Sequence, residues 1–357
     1  MPKTSVFLLT CPYPIASDVY EGCTHGCKYC FANGRMAKSK RGDFQSVKSA
    51  DTLKQIEDYV NGKRTKRESW CDWDAPIRFG VNSDPFQPCE VREGRMLAVL
   101  KLMARKGYPF IVTTKGASVI ARPEYLSVLK DCNVCVNLSM SSPLMDSMEP
   151  GAPPFSVRLS ALEALSRTVP RVIARCQPFF VEHTAAICSN IRAIAEAGAY
   201  ALFAEPSYPS KTQISKLQVK DGRLWKYTWE DVRDSFAAFR NLSHKHGMKF
   251  VESSIYEVSD EPVLCCTCGK MDGFTPNRCN ITFYHLARNE YGATPRQTEI
   301  GTGDVFNIVS GDRANLPRRG GCSFVHLMEI YAKSPVYASA FVSTPNKSRD
   351  NGRKAGD

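Results

Sequence analysis

Strand-like and helix-like stretches alternate through residues 18–252, and this alternation constrains the fold more than any other feature of the chain. Apolar runs at 77–81, 109–114, 134–139, 172–178, 200–204 and 249–252 read as strands, and a shorter candidate lies at 18–22. Helical periodicity fills the gaps between them. Residues 50–60 place Leu53, Ile56 and Val60 on one stripe, and 93–106 end at Gly107. Pro123 suits the first turn of a helix over 122–129. Ser156 is positioned to cap 156–167, Thr184 opens 184–197, and Thr228 caps a long helix that Gly247 stops. Six βα units and a seventh strand predict a parallel sheet with helices outside. Six units are too few for an eight-fold barrel, so the fold class expected is α/β, an open, partial (βα)6 TIM-like barrel.

The division of the chain follows from this count. Residues 1–252 form the barrel. Residues 253–345 are irregular and rich in Cys, Gly, Asn and Arg, with one helix candidate at 281–288. Residues 346–357 are a polar, basic tail expected to be disordered. At 43% apolar content the chain can build a full core, which excludes wholesale disorder. No apolar run is long enough to span a membrane, and the N-terminus has neither the long apolar region nor the cleavage site of a signal peptide. A cytoplasmic protein is therefore expected. In a reducing compartment its 15 cysteines point to metal or redox chemistry rather than disulfides.

The cysteines cluster. Cys23, Cys27 and Cys30 stand in the sequence CTHGCKYC, directly after the first strand candidate. Thiolates at CxxxCxxC spacing can converge on one iron–sulfur cluster, and three of them leave one iron of a four-iron cluster open to a small molecule. A zinc ion with a fourth ligand, such as His25, is the alternative. A second group comprises Cys265, Cys266, Cys268 and Cys279, with Cys322 further on. Its spacing is unlike that of paired zinc-finger cysteines and leaves a second iron–sulfur cluster, a zinc ion or no metal open.

With Tyr29 as the aromatic residue before the third cysteine, the triplet resembles that of the radical S-adenosylmethionine (SAM) superfamily. Three further segments resemble its spore photoproduct lyase-like branch. They are NSDPFQPCE at 82–90, TTKG at 113–116 followed by IAR at 120–122, and EPGAPP at 149–154 followed by Arg158 and Leu159. The likeness runs over residues 15–210.

The resemblance implies a [4Fe–4S] cluster on Cys23, Cys27 and Cys30 whose open iron chelates SAM. One electron from a donor such as flavodoxin or ferredoxin would release a 5′-deoxyadenosyl radical that abstracts hydrogen from substrate. It implies SAM contacts at the C-terminal ends of the strands. Ser83 and Asp84 are the substitutes for an absent glycine-rich stretch at the SAM amino group, although an Asx-turn before Pro85 also accounts for Asp84. Lys115 would meet the methionyl carboxylate or a substrate phosphate. Asn137, Ser139 and Ser141 would reach ribose hydroxyls. Arg175 and Gln177 share a strand face, and Arg175 would hold the carboxylate bidentately. Glu205 is a polar contact at the end of strand six, and Tyr29 lies by the adenine. The lyase uses a cysteine hydrogen donor; Cys89, Cys176 and Cys188 are candidates that no motif aligns to it.

The substrate is read from charge and branch together. Lys plus Arg number 47 against 36 Asp plus Glu, a formal charge of +11, with basic residues concentrated at 35–67 and around Arg313, Arg318 and Arg319. A nucleic-acid substrate, DNA, is expected, with a pyrimidine rearranged or modified, or a thymine lesion repaired. Radical modification of a peptide or metabolite and a non-catalytic iron–sulfur or zinc nucleic-acid-binding protein are the other readings. A plain barrel hydrolase has no Ser/His/Asp arrangement or Gly-rich phosphate loop to rest on.

Overall fold

The computed structural model describes residues 1–4, 15–30, 32, 48–49, 51–63, 76–207, 219–221 and 224–252. Among these residues the main sheet has eight strands in chain order. They are β1 (Lys3–Thr4), β2 (Ile15–Ser17), β3 (Ile77–Phe79), β4 (Phe110–Thr114), β5 (Val134–Ser139), β6 (Val172–Phe179), β7 (Ala201–Pro206) and β8 (Lys249–Glu252). The edge strand β1 is antiparallel to β2, and every later pairing is parallel. Strand order that never reverses, with right-handed crossovers, puts every connecting helix on the same face. The result is the open, partial (βα)6 barrel that the alternation predicts.

Among the described residues the longer helices are α1 (Leu53–Val60), α2 (Arg95–Lys106), α3 (Pro123–Leu129), α4 (Phe155–Ser166), α5 (Thr184–Glu196) and α6 (Trp229–Lys245). Each buries one stripe at helical spacing, such as Ile187, Ile191 and Ile194 of α5, or Val232, Phe236 and Phe239 of α6. These stripes meet the strand residues that point outward. Phe110 and Val112, then Val134, Val136 and Leu138, then Val172, Ala174 and Cys176 join one apolar core. Alternate residues of the same strands, Thr113, Asn137, Ser139 and Arg175, face the opposite side. The apolar core therefore lies between sheet and helices, and the sheet's other face is free to carry polar groups.

Several boundaries differ from expectation. The first barrel strand is Ile15–Ser17 rather than 18–22, because the Asp18 carboxylate accepts from the amides of Val81 (3.0 Å) and Asn82 and turns the chain out of the sheet. Tyr20–Glu21 instead pairs with Lys48–Ser49 in a separate two-stranded ladder. The helix expected over 93–106 is broken at Gly94, whose left-handed backbone (φ 61°) separates a short turn, Glu90–Glu93, from α2. Ser156 does not cap α4: the helix starts at Phe155, and the Asp146 side chain accepts from that residue's amide at 3.0 Å. Thr228 does cap α6, in a reciprocal capping box with Asp231.

The expected extension at 253–345, its helix candidate, the tail at 346–357 and most of the basic residues at 35–67 and 313–319 lie outside the described residues. No helix among the described residues is long and apolar enough to cross a membrane.

Two substitutions check which contacts carry this architecture. Phe236→Ala empties a site where Phe179 and Trp229 meet the Phe236 ring, and is expected to lower stability by about 3–5 kcal/mol. Thr228→Ala removes only the cap and is expected to cost about 1 kcal/mol. Urea denaturation followed by circular dichroism reads both, and equal losses would contradict the packing described.

Candidate active site

The cysteine loop leaves β2 and crosses the C-terminal ends of β2 to β4. Cys23, Cys27 and Cys30 are free thiols, each half-buried. Two connecting segments clasp the loop, one after β3 and one after β5.

The segment after β3 holds residues 20–25. Ser83 donates to the Gly22 carbonyl at 2.5 Å. Gln87, fully buried, accepts from the Thr24 amide at 3.0 Å and donates to the Gly22 carbonyl at 3.2 Å. The backbone on both sides of Cys23 is thereby fixed by one side-chain amide. Glu90, also fully buried, accepts from the Tyr20 hydroxyl, from Tyr125 at 3.0 Å, and from the amides of Met96 and Leu97 at 2.9 Å. This carboxylate covers the unpaired donors that open α2 while tying down the chain that leads into the cysteines.

Asp84 joins the two halves. Its carboxylate accepts from the Thr114 hydroxyl and the Lys115 amide at 2.6 Å, and from the Phe86 amide at 2.9 Å. His25 Nε2 stands 3.1 Å away, and His25 Nδ1 lies 3.0 Å from the Gly151 carbonyl. Burial opposes the charge on Asp84, but the His25 ring, the Thr114 hydroxyl and the Lys115 amide outweigh it and bring the carboxyl down to about 2. The bond to Phe86 is the Asx-turn that its place before Pro85 suggests. Both carboxylate oxygens are committed within the protein, and His25 Nδ1 is held at the Gly151 carbonyl, while Nε2 faces the Asp84 carboxylate without completing a hydrogen bond.

The segment after β5 holds residues 25–29. The amide of Lys28 donates to Met148 O and that of Gly151 to His25 O, each at 2.9 Å. Gly151 is required here, because a Cβ would sit 2.3 Å from the Thr24 carbonyl. Glu149 is buried and accepts from the Tyr29 hydroxyl and from Arg158, while Lys115 Nζ lies 3.8 Å off and 5.6 Å from the Tyr29 ring centre. Arg158 also donates to the Ser139 carbonyl at 3.0 Å. Burial raises Glu149, yet the charges of Lys115 and Arg158 hold its carboxyl below the usual range. Burial raises the Tyr29 hydroxyl, and Glu149 adds to that.

The inner face of the sheet continues this polar surface. Ser139 pairs in register with Arg175, and Arg175 with Phe203. The Arg175 guanidinium lies 4.1 Å over the Phe203 ring, donates to Gln177 at 2.5 Å and approaches Glu205 to 4.0 Å. Among the described residues, Arg175 Nη1 and both amide atoms of Asn137 are buried without a hydrogen-bond partner. Ser141 is occupied by the Pro178 carbonyl at 3.0 Å.

Set beside solved structures, the fold has a counterpart. Spore photoproduct lyase complexed with dinucleoside spore photoproduct superposes with a TM-score of 0.52 at 12% identity, over 71% of this chain and 78% of that one. A cysteine-to-alanine variant of it with the same ligand gives 0.53 at 11%. The chain has the fold of spore photoproduct lyase. No protein-family model matches it. Uncharacterized proteins of Mycobacterium tuberculosis and Mycobacterium bovis are each 27% identical over 163 residues, 43% of this chain and 46% of theirs. The chain thus matches about half the length of these curated relatives.

Within the spore photoproduct lyase fold, Cys23, Cys27, Tyr29, Lys115 and Glu149 gather on one side of the opening, while Asn137, Arg175, Gln177 and Glu205 lie across β5 to β7. Cys176 points into the helix-side core, its thiol pushed up to about 12 by burial, so it has no access to the inner face. Cys89 and Cys188 pack at the edge of that same core. Cys135, which the sequence reading passed over, shares the inner face with Asn137 and is fully buried.

Three free thiols on one clasped loop are a donor set of the kind a four-iron cluster takes. Among the described residues no three His, Cys, Asp or Glu side chains converge tightly enough to hold one metal ion. A four-iron cluster asks instead that each thiolate reach a different iron. The three cysteines are free and lie on one clasped loop, with Lys115 and Arg158 offsetting negative charge at Cys27. Burial raises the thiols of Cys23 and Cys27 to about 12 and about 11 without metal, and ligation to iron would deprotonate them. Cys265, Cys266, Cys268, Cys279 and Cys322 lie outside the described residues.

Asp84 yields a pH test. Its folded value of about 2 lies below the ordinary carboxylate value of about 3.9, so its contribution to stability is present above pH 4 and is lost as pH falls toward 2. Urea midpoints should fall over that window in the native chain. In Asp84→Asn they should start lower and fall less steeply; an identical slope would show that Asp84 is not ionised and paired as described.

Proposed function

We propose that this protein is a radical SAM enzyme in which Cys23, Cys27 and Cys30 hold a [4Fe–4S] cluster at the C-terminal mouth of the barrel. The observation that carries the reading is the cysteine loop itself, three free thiols on a segment pinned by Gln87, Asp84 and Glu149 above a polar inner sheet face. Reduced by a donor such as flavodoxin or ferredoxin, the cluster with bound SAM supplies a 5′-deoxyadenosyl radical.

The remaining work falls to the chain. Arg175, stacked on Phe203 with Nη1 unengaged, binds a carboxylate. Asn137 offers one donor and one acceptor to a hydroxyl or base edge. Ser139, Gln177 and Glu205 complete that wall, and Tyr29 and Lys115 close the opposite one. Ser83 and Asp84 serve the cofactor through the loop they hold rather than by touching it, since their polar atoms are already committed.

The substrate reading is a pyrimidine base of DNA that is rearranged or modified. Spore photoproduct lyase has been captured with a dinucleoside lesion, and the +11 charge of this chain favours a polyanion. A base inside a duplex would have to leave the stack to reach the barrel mouth. On this reading residues 253–345 are an extension whose cysteines hold a second cluster or zinc, and the protein works in the cytoplasm.

The test is 5′-deoxyadenosine formation, measured by mass spectrometry on anaerobically reconstituted, reduced protein given SAM. Formation that rises with thymine-containing or modified DNA is expected. Formation indifferent to DNA moves the substrate to a peptide or metabolite, and iron-loaded protein that forms none refutes the enzyme. Cys27→Ala should abolish formation while the protein stays soluble. Arg175→Ala should weaken SAM binding about 10–100-fold, as loss of a charged hydrogen bond does.

A further inference from the structure

The sequence places Gln87 four residues after Ser83 and 64 residues after Cys23, with nothing to link the last two. The fold brings all three together. Gln87 is fully buried and uses both ends of its amide on the backbone that flanks Cys23. The oxygen accepts from the Thr24 amide at 3.0 Å, and the nitrogen donates to Gly22 O and to Ser83 Oγ, each at 3.2 Å. Gly22 itself has a left-handed backbone (φ 89°), so the chain turns sharply just before the cysteine. Cys27 and Cys30 are placed separately: their stretch hangs on the Lys28–Met148 and Tyr29–Glu149 contacts from the other side of the opening.

We propose that Gln87 is the positioning residue of Cys23, setting that thiol alone and setting it before any metal binds. The residue type follows from the geometry. One partner is a donor and the other an acceptor, so only a carboxamide satisfies both. A carboxylate of the same shape keeps the bond to Thr24 and turns an acceptor toward the Gly22 carbonyl. Glu at position 87 is therefore a nearly isosteric break of one half of the clasp. The consequence is selective, because Cys27 and Cys30 do not depend on that half. The part that concerns the cluster rests on the radical SAM reading above; the part that concerns the thiols does not.

The test uses the full chain as wild type and Gln87→Glu, with Ser83→Ala as a second variant that removes one contact of the same amide together with Ser83's own bond to the Gly22 carbonyl. In the metal-free protein, alkylation by iodoacetamide is followed by peptide mass spectrometry. Cys23 is expected to label several-fold faster in Gln87→Glu, while Cys27 and Cys30 keep their wild-type rates; Ser83→Ala should move Cys23 in the same direction and likewise leave Cys27 and Cys30 unchanged. Reconstitution with ferrous iron and sulfide should then show iron affinity about 10–100-fold lower in Gln87→Glu, the range for groups that orient metal ligands, and an altered electron paramagnetic resonance signal after reduction.

Equal labelling of Cys23 in wild type and both variants overturns the proposal. So does a uniform rise at all three cysteines, which would mark general loosening of the fold. If the wild type itself takes up no iron, the radical SAM reading fails, and the labelling pattern still decides the role of Gln87. If the wild type loads iron and Gln87→Glu matches it in labelling and spectrum, the reading stands and the proposal falls.

Discussion

A buried carboxylate is costly unless its charge is met, and the site is organised around meeting that of Asp84. The groups that meet it come from three places: the Thr114 hydroxyl and Lys115 amide at the end of β4, the Phe86 amide of its own turn, and the His25 ring within the cysteine loop. Satisfying the charge therefore docks the loop onto the ends of β3 and β4. His25 passes the constraint on through Nδ1 to Gly151, on the segment after β5. The Asp84–His25 contact thus links three strand ends, and removing His25 would take one of the partners from a buried carboxylate under the cysteines.

The same economy of position appears in the strands. Each inner strand carries two independent messages in alternation. On β5, Val134, Val136 and Leu138 serve the helix-side core, while Cys135, Asn137 and Ser139 face inward. Polar side chains without partners, such as Asn137, can be kept inside because the hydrophobic burial that stabilises the domain is completed on the other face. Their unsatisfied atoms are a stability deficit of the kind that marks binding surfaces.

The sequence makes much of this legible. Strands β5 and β8 fall at the predicted residues, and the helix capped at Thr228 begins where its capping box implies. Local rules decide those features. Failures come where a distant group overrides a local one: Asp18 ends β2 by capturing amides 63 and 64 residues away, and Asp146 displaces Ser156 at the start of α4. The site shows the same division. The cysteine triplet stands out by spacing alone. Gln87, Glu90, Glu149 and Arg158 lie in segments recognised only as a family signature, and their roles emerge from contacts that no periodicity encodes. Asp84, expected at the cofactor, is buried among four partners beneath the loop, none of which its local sequence names except the Phe86 amide of its own turn.

The two cysteines nearest the clasps do not share one electrostatic environment. Cys23 sits beside Asp84, whose charge adds to the effect of burial on its thiol. Cys27 has Lys115 and Arg158 close by, which work against burial, with Glu149 opposing them. Negative charge on this loop is therefore better tolerated at Cys27 than at Cys23. The difference follows from connectivity: the acidic residue after β3 is needed to hold His25, and the basic residues near β4 and β5 are needed to hold Glu149. An anionic group bound by all three cysteines would be drawn toward Lys115, at the end of the strand next to the one that carries Asn137. That field is set by residues whose first task is to keep the loop in place.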